Sequence, residues 1–223
     1  MINIRELKSK YKHFLLLLIF IPLLLWFGYC EKTITSHYTI IHSSVDDYIP
    51  FMKIFIIPYL SWFPYIGFGL LYSGIVYRKE YYRLCTFMFT GMAICYVIFM
   101  VCPNGLNMRP NITQHDILSG LVAYVYRVDT PANVTPSIHI LNSIGINTAL
   151  VNCAKLKKRK KLIWISNVWM VLICISTLFV KQHSVIDVLW AIVLSAVLYT
   201  AMLAVPKVFI HIKTLKDSNE AVH

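Results

Sequence analysis

Six apolar runs, each long enough to cross a hydrocarbon core about 30 Å thick, limit what this chain can fold into. They cover roughly residues 14–29, 51–77, 84–102, 138–154, 162–180 and 186–210. Lipid offers no water to backbone N–H and C=O groups, so such runs must close their own hydrogen bonds as helices. The expected fold is an all-α membrane protein: one domain over residues 1–223, built as a bundle of six transmembrane helices. Composition agrees, with 58% hydrophobic residues, 14% charged residues and a mean hydropathy of +0.64. Soluble domains carry nearer a quarter charged residues. The same numbers exclude a disordered chain, a coiled coil, a collagen and a small disulfide-stapled secreted domain.

The first run follows Arg5, Lys8, Lys10 and Lys12. Trp26, Phe27 and Tyr29 stand where a signal peptide would need small residues, so the run reads as an uncleaved helix. Pro58 and Pro64 predict a kink in the second run. The net charge of +11 would suggest a nucleic-acid partner in a soluble protein. Here 16 of the 21 Lys and Arg residues fall on one side of the six-run layout, including the run Lys155–Lys161. By the positive-inside rule that side is cytoplasmic, both termini lie there, and no nucleic acid is called for. The six cysteines show no C-x-x-C pair and no metal-ligand spacing, and most read as small buried hydrophobes. A Cys30–Cys102 bridge has only shared sidedness in its favour. The segment Ile117 to Val128, in the long outer loop, is expected along the membrane interface.

Three outer segments carry chemistry: Arg109-Pro110 after the third run, Pro136-Ser137-Ile138-His139 before the fourth, and Ser176 to Asp187 between the fifth and sixth. Asp187 is the one acid inside any apolar run, and such an acid costs a few kcal/mol unless paired. With a helix starting near Ser184, His183 and Asp187 stand at i and i+4 on one face. A carboxylate on Nδ1–H leaves Nε2 bare, which describes a nucleophile. His139 is placed to give a proton to a departing alkoxide. Ser137 opens a helix whose N–H groups favour anions. Arg109 suits phosphate oxygens, and Lys181 adds a second cation. Singly, each has a plain structural explanation: a His–Asp pair joining helices, a solvated ring, an N-cap, basic side chains reaching for headgroups. Jointly, on one face, they make an anion cradle with a nucleophile and an acid, hence phosphoryl transfer without metal.

These residues resemble the type 2 phosphatidic acid phosphatase superfamily, the lipid phosphate phosphatases, whose motifs are K-x6-R-P, P-S-G-H and S-R-x5-H-x3-D. The first survives as Arg109-Pro110, the second as Pro136 to His139, the third as Ser176-Thr177, His183 and Asp187. The resemblance implies that His183 attacks phosphorus, Asp187 orients it and His139 protonates the leaving alcohol. Arg109 and Ser137 would hold phosphate oxygens, with Lys181, Ser176 and Thr177 beside them. It also implies no cofactor and no divalent metal, and a membrane lipid phosphate as substrate.

The family's first Lys falls on Cys102 and its third-motif Arg on Thr177. Lys181, one helical turn from Thr177, is the expected replacement for one of them. A third motif of this form is similar to that of the inositol phosphorylceramide synthase-type branch. The stretch Asp47 to Phe51, followed by Tyr59 to Trp62, also looks like that branch's bacterial relatives. Three functions therefore stand: a lipid phosphatase, a lipid phosphotransferase with an alcohol acceptor, and a non-enzymatic carrier or interaction protein. The short chain, with no long lumenal domain, suits a bacterial plasma membrane with the site outward. Headgroup, chain type and oligomeric state are not legible.

Overall fold

The computed structural model describes residues 11–220 except 115, with side chains described as far as 204. Arg5, Lys8 and Lys10, and the side chains of Lys207, Lys213 and Lys216, lie outside the described residues. The protein is mostly helical, with five helical stretches among the described residues long and apolar enough to cross a membrane. They are Lys12–Thr33, Lys53–Val76, Arg78–Val101, Lys160–Phe179 and Val185–Ala204. Leu25, Phe63, Trp164 and Val197 on these helices are each more than half exposed. Large side chains turned outward on every side suit a lipid solvent.

The first crossing begins as a 3-10 turn, Lys12–Ile19, and continues as α1, Phe20–Thr33. A short capped helix, α2 (Ser44–Tyr48), precedes the second crossing. That crossing is interrupted, as its prolines predict: a 3-10 turn at Lys53–Phe55, α3 (Ile56–Leu60), then α4 (Trp62–Val76). Pro58 and Pro64 supply no N–H, and the Ser61 hydroxyl at the break donates to the Pro58 carbonyl at 2.6 Å. Then follow α5 (Arg78–Val101), the outer helix α6 (Ile117–Val128), α7 (Ile138–Asn152), the short α8 (Ala154–Lys157), α9 (Lys160–Phe179) and α10 (Val185–Glu220).

The fourth expected crossing corresponds to α7, which has only 15 residues and a length of about 22 Å. It is a central post packed against α4, α5, α9 and α10. A helix wrapped by others need not reach the headgroups itself. Gly69 and Gly145 permit the close approach: an added Cβ would meet Ile146 at 2.5 Å in one case and Phe87 at 2.7 Å in the other. The core runs through Tyr81, Met88, Tyr96 and Phe99 of α5 against Leu141 and Ile146 of α7.

At one end of the bundle the connections knit together. A two-residue parallel ladder pairs β1 (Thr39–Ile40) with β2 (Asn104–Gly105). The Asn104 side-chain oxygen accepts from the N–H groups of Val134 and Thr135, at 2.9 and 2.8 Å. Glu31, at the end of α1, accepts from Asn133 Nδ2 at 2.6 Å and from both the N–H and the hydroxyl of Thr130. The loop entering α7 is thus held from two sides. Residues 117–128 form a two-faced helix, α6. Val122 and Val125 pack on Ile56, Tyr59 and Val180, while Ile117, Tyr124 and Val128 are exposed. Asp116 caps it and pairs with Lys53 at 2.6 Å.

Asp46 joins distant elements. Within α2 it accepts from the Ser43 N–H at 2.8 Å, closing a capping box. Across 138 residues of sequence it accepts from the Ser184 hydroxyl at 2.6 Å, and it also accepts from the Val185 N–H at 2.9 Å. Asp46→Ala strips three donors, one buried and two part-buried, of their acceptor and is expected to cost about 2–4 kcal/mol. A thermal midpoint in detergent unchanged from the parent would refute this role.

Candidate active site

The site lies where the N-termini of α7 and α10 meet. Ser184 caps α10, its hydroxyl accepting from the Ile186 N–H at 3.2 Å, while Asp187 Oδ2 accepts from the Ser184 N–H at 2.8 Å. This Ser-x-x-Asp box places His183 just before the helix and Asp187 in its first turn. His183 Nδ1 lies 3.2 Å from Asp187 Oδ2. Thr135 donates its hydroxyl to Asp187 Oδ1, and the Ser137 N–H donates to the Asp187 carbonyl at 3.4 Å. Asp187 is fully buried, and three donors from two segments satisfy its carboxylate. With Nδ1–H on the carboxylate, His183 Nε2 is left as the unprotonated nitrogen.

His139 stands on the opposite rim, its ring centroid 5.6 Å from that of His183. Ser137 is the N-cap of α7, its hydroxyl accepting from the Ile140 N–H at 3.4 Å. The His139 ring packs against Tyr59 and Trp62, centroids 4.9 and 4.4 Å away. Trp62 Nε1 donates to the His139 carbonyl at 3.1 Å, so the break at Ser61 serves to aim the aromatic pair. Two helix N-termini point into this space, and each carries a partial positive charge.

Arg109 enters from the loop after α5. Its Nη1 donates to the Asp129 carbonyl at 2.7 Å and its Nη2 to the Thr130 carbonyl at 2.9 Å. Nη2 also donates to Gln182 Oε1, and the guanidinium lies 4.8 Å from the Tyr126 ring centroid. Arginine can only donate, so the Gln182 oxygen must face it and the amide N–H2 must point elsewhere. Gln182 Nε2 and Arg109 Nε are buried and meet no acceptor among the described residues. Two buried donors are thus unspent, one of them on the residue that directly precedes His183.

Three residues expected at the phosphate make other contacts. Lys181 does not face the histidines: its Nζ donates to the carbonyls of Asp46 and Ile49, at 2.9 and 2.5 Å. These bonds tie down a left-handed backbone at φ 56°, a conformation that costs a non-glycine residue about 1 kcal/mol or more. The hydroxyls of Ser176 and Thr177 donate back to the Ile173 and Cys174 carbonyls of their own helix. Thr177 acts through its carbonyl, which accepts from the N–H groups of Gln182 and His183 and shapes the turn. Cys102 is exposed and Cys30 buried, and both are free thiols.

Gln182, Asp129, Tyr59, Trp62 and Thr135 were not singled out as site residues from sequence. Only Gln182, next to His183, and Tyr59 and Trp62, in a stretch quoted for its resemblance, carried any local signal. Among the described residues, no group of three or more His, Cys, Asp or Glu is arranged to hold a metal ion. Comparisons of the chain with family models, with curated proteins and with solved structures yield no match.

Asp129 accepts from the Tyr59 hydroxyl at 3.4 Å. Burial lifts its carboxyl to about 6, against the pull of Arg109. An unfolded chain releases that proton near the ordinary Asp value, so between roughly pH 4 and 6 the folded form binds more protons. This contribution to stability therefore falls as pH rises through that window, by at most about 3 kcal/mol. Thermal midpoints measured from pH 4 to 7 should show a downward slope that Asp129→Asn removes; the same slope in the variant would refute the assignment.

Proposed function

We propose that this chain is a metal-independent lipid phosphatase working through a phosphohistidine, with six crossings, both termini cytoplasmic and the site at the outer face. The observation that carries the reading is the His183–Asp187 pair beside His139, next to a guanidinium and an amide with unspent donors. The orientation rests on the Lys and Arg distribution, and α7 counts as the sixth crossing because its neighbours carry it through the bilayer.

In the proposed reaction, the His183 Nε2 lone pair attacks phosphorus and forms an N–P bond as the bond to the ester oxygen breaks. The departing alkoxide takes a proton from His139. His139, now neutral, takes a proton from water; the water oxygen bonds to phosphorus, the N–P bond breaks and phosphate leaves. Arg109, Gln182 Nε2 and the two helix N-termini would hold the oxygens on which charge develops.

A lipid phosphotransferase follows the same steps with an alcohol in place of water. Enclosure favours this second reading: His183 is 7% exposed, and a site that sheds water suits a hydroxyl acceptor.

The test is phosphate release in EDTA from phosphatidate, phosphatidylglycerol phosphate and undecaprenyl diphosphate. His183→Ala should abolish release, and Asp187→Asn should lower it by roughly 10²–10⁴-fold. Gln182→Leu should lower it by roughly tenfold, the equivalent of one hydrogen bond. Headgroup transfer to an added alcohol, without phosphate release, would replace the phosphatase reading with the second one. Neither activity from any donor would sink both.

A further inference from the structure

A cavity of about 270 Å³ opens between α5, α7 and α10, at the end of the bundle away from the histidines. Its floor is formed by Gly145, Thr148 and Ala149 of α7, and Phe87 and Tyr199 wall it from the two flanking crossings. Glu80 and Arg83, in the first turns of α5, stand at its rim. They lie about 30 Å along that helix from the end carrying the site. The cavity is mostly apolar, and at this rim Arg83 Nη1 donates to Glu80 Oε1 at 2.7 Å.

The two partners are unequally placed. The Glu80 side chain is 7% exposed, whereas that of Arg83 is 45% exposed, so the carboxylate is spent inward and cationic surface remains outside. More positive charge lies at the same end of the bundle. Lys79 is exposed beside Arg83, and the Lys155–Lys161 run, with its basic residues exposed, follows directly from α7. Within residues 78–83 and 153–162, Glu80 is the only acid. An apolar slot between two lipid-facing helices, opening under a cluster of cations, matches one ligand chemistry: an acyl chain with an anionic headgroup. The volume sits at the low end for ligand pockets, enough for a stretch of one chain and not for a whole lipid.

We infer that this cavity is a binding site for an anionic phospholipid of the surrounding leaflet, one acyl chain lying in the slot and the phosphate on Arg83 and the neighbouring lysines. A zwitterionic lipid fills the slot equally well but gains little from the cations, and free phosphate gains nothing from the slot. The site is remote from His183, so the inference stands or falls independently of the proposed reaction.

The experiment is native mass spectrometry of the full chain, released from nanodiscs holding equal phosphatidylglycerol and phosphatidylcholine. The parent should retain phosphatidylglycerol in preference, by about fivefold or more. Thr148→Phe fills the slot and should remove the retained lipid, whereas Arg83→Gln should lower the preference several-fold without emptying the slot. Ile192→Trp fills the slot from the lipid-facing side and serves where Thr148→Phe does not give a monodisperse protein. Equal retention of the two lipids by the parent, or retention unchanged in the filled variants, would overturn the inference. So would a phosphatidylglycerol preference that survives Arg83→Gln intact.

Discussion

The Asp187 carboxylate is the constraint on which this outer end depends. A fully buried carboxylate is unfavourable unless donors surround it, and its donors come from two otherwise separate pieces of chain. Thr135 brings the loop that enters α7; Ser184 and His183 bring the turn that enters α10. Satisfying one charge therefore docks two helix N-termini side by side and fixes the His183 tautomer in the same step. Removing the carboxylate would leave a threonine hydroxyl, a backbone N–H and an imidazole short of an acceptor. A structural requirement and, in the proposed reaction, a catalytic one are thus met by the same atoms.

A second buried acid repeats the device from outside. Asp46 holds Ser184 and Val185, while the carbonyls of Asp46 and Ile49 hold the Lys181 ammonium. The five-residue turn between α9 and α10 is clamped at Lys181 and Ser184, and the first residue of α10 is held with it. Preorganisation of this kind lets a hydrogen-bond donor act on developing charge without first being ordered. It also explains why Lys181 is unavailable to a phosphate: its charge is used to hold the strained backbone that presents Gln182 and His183.

The fold was legible in the sequence wherever apolar length decided it. The runs at 14–29, 84–102, 162–180 and 186–210 correspond to helices that start within about six residues of expectation, and the proline-marked run breaks at Ser61. α7 proved shorter than a crossing because its neighbours, not its own length, settle where it ends. The His183–Asp187 relation was legible because four residues is a helical turn. The roles of Lys181, Ser176 and Thr177 were not, because sequence spacing gives proximity along a helix and not the direction in which a donor is spent. Asp46 marks the boundary clearly. Its bond to Ser43 is a local pattern, but its bond to Ser184 spans 138 residues and leaves no periodic trace.

Under the proposed reaction, the balance of charge at the site narrows what it suits. Of the cations expected there, Arg109 alone faces inward, and its charge is shared with the carbonyls of Asp129 and Thr130, with Gln182 and with the Tyr126 ring. Apart from the His139 imidazolium, whose proton goes to the departing alkoxide, what remains is neutral: an amide N–H2, backbone N–H groups and two helix dipoles of about half a charge each. Such donors match the shape of a phosphoryl group while neutralising only a modest charge. A singly charged phosphodiester is better served by them than a diphosphate carrying two or three charges, which would leave uncompensated charge in a site of low dielectric. Within the proposed chemistry, donors of low charge are therefore favoured, and the same balance draws the phosphatase and phosphotransferase readings together, since both would start from a phosphate ester held by one guanidinium and many dipoles.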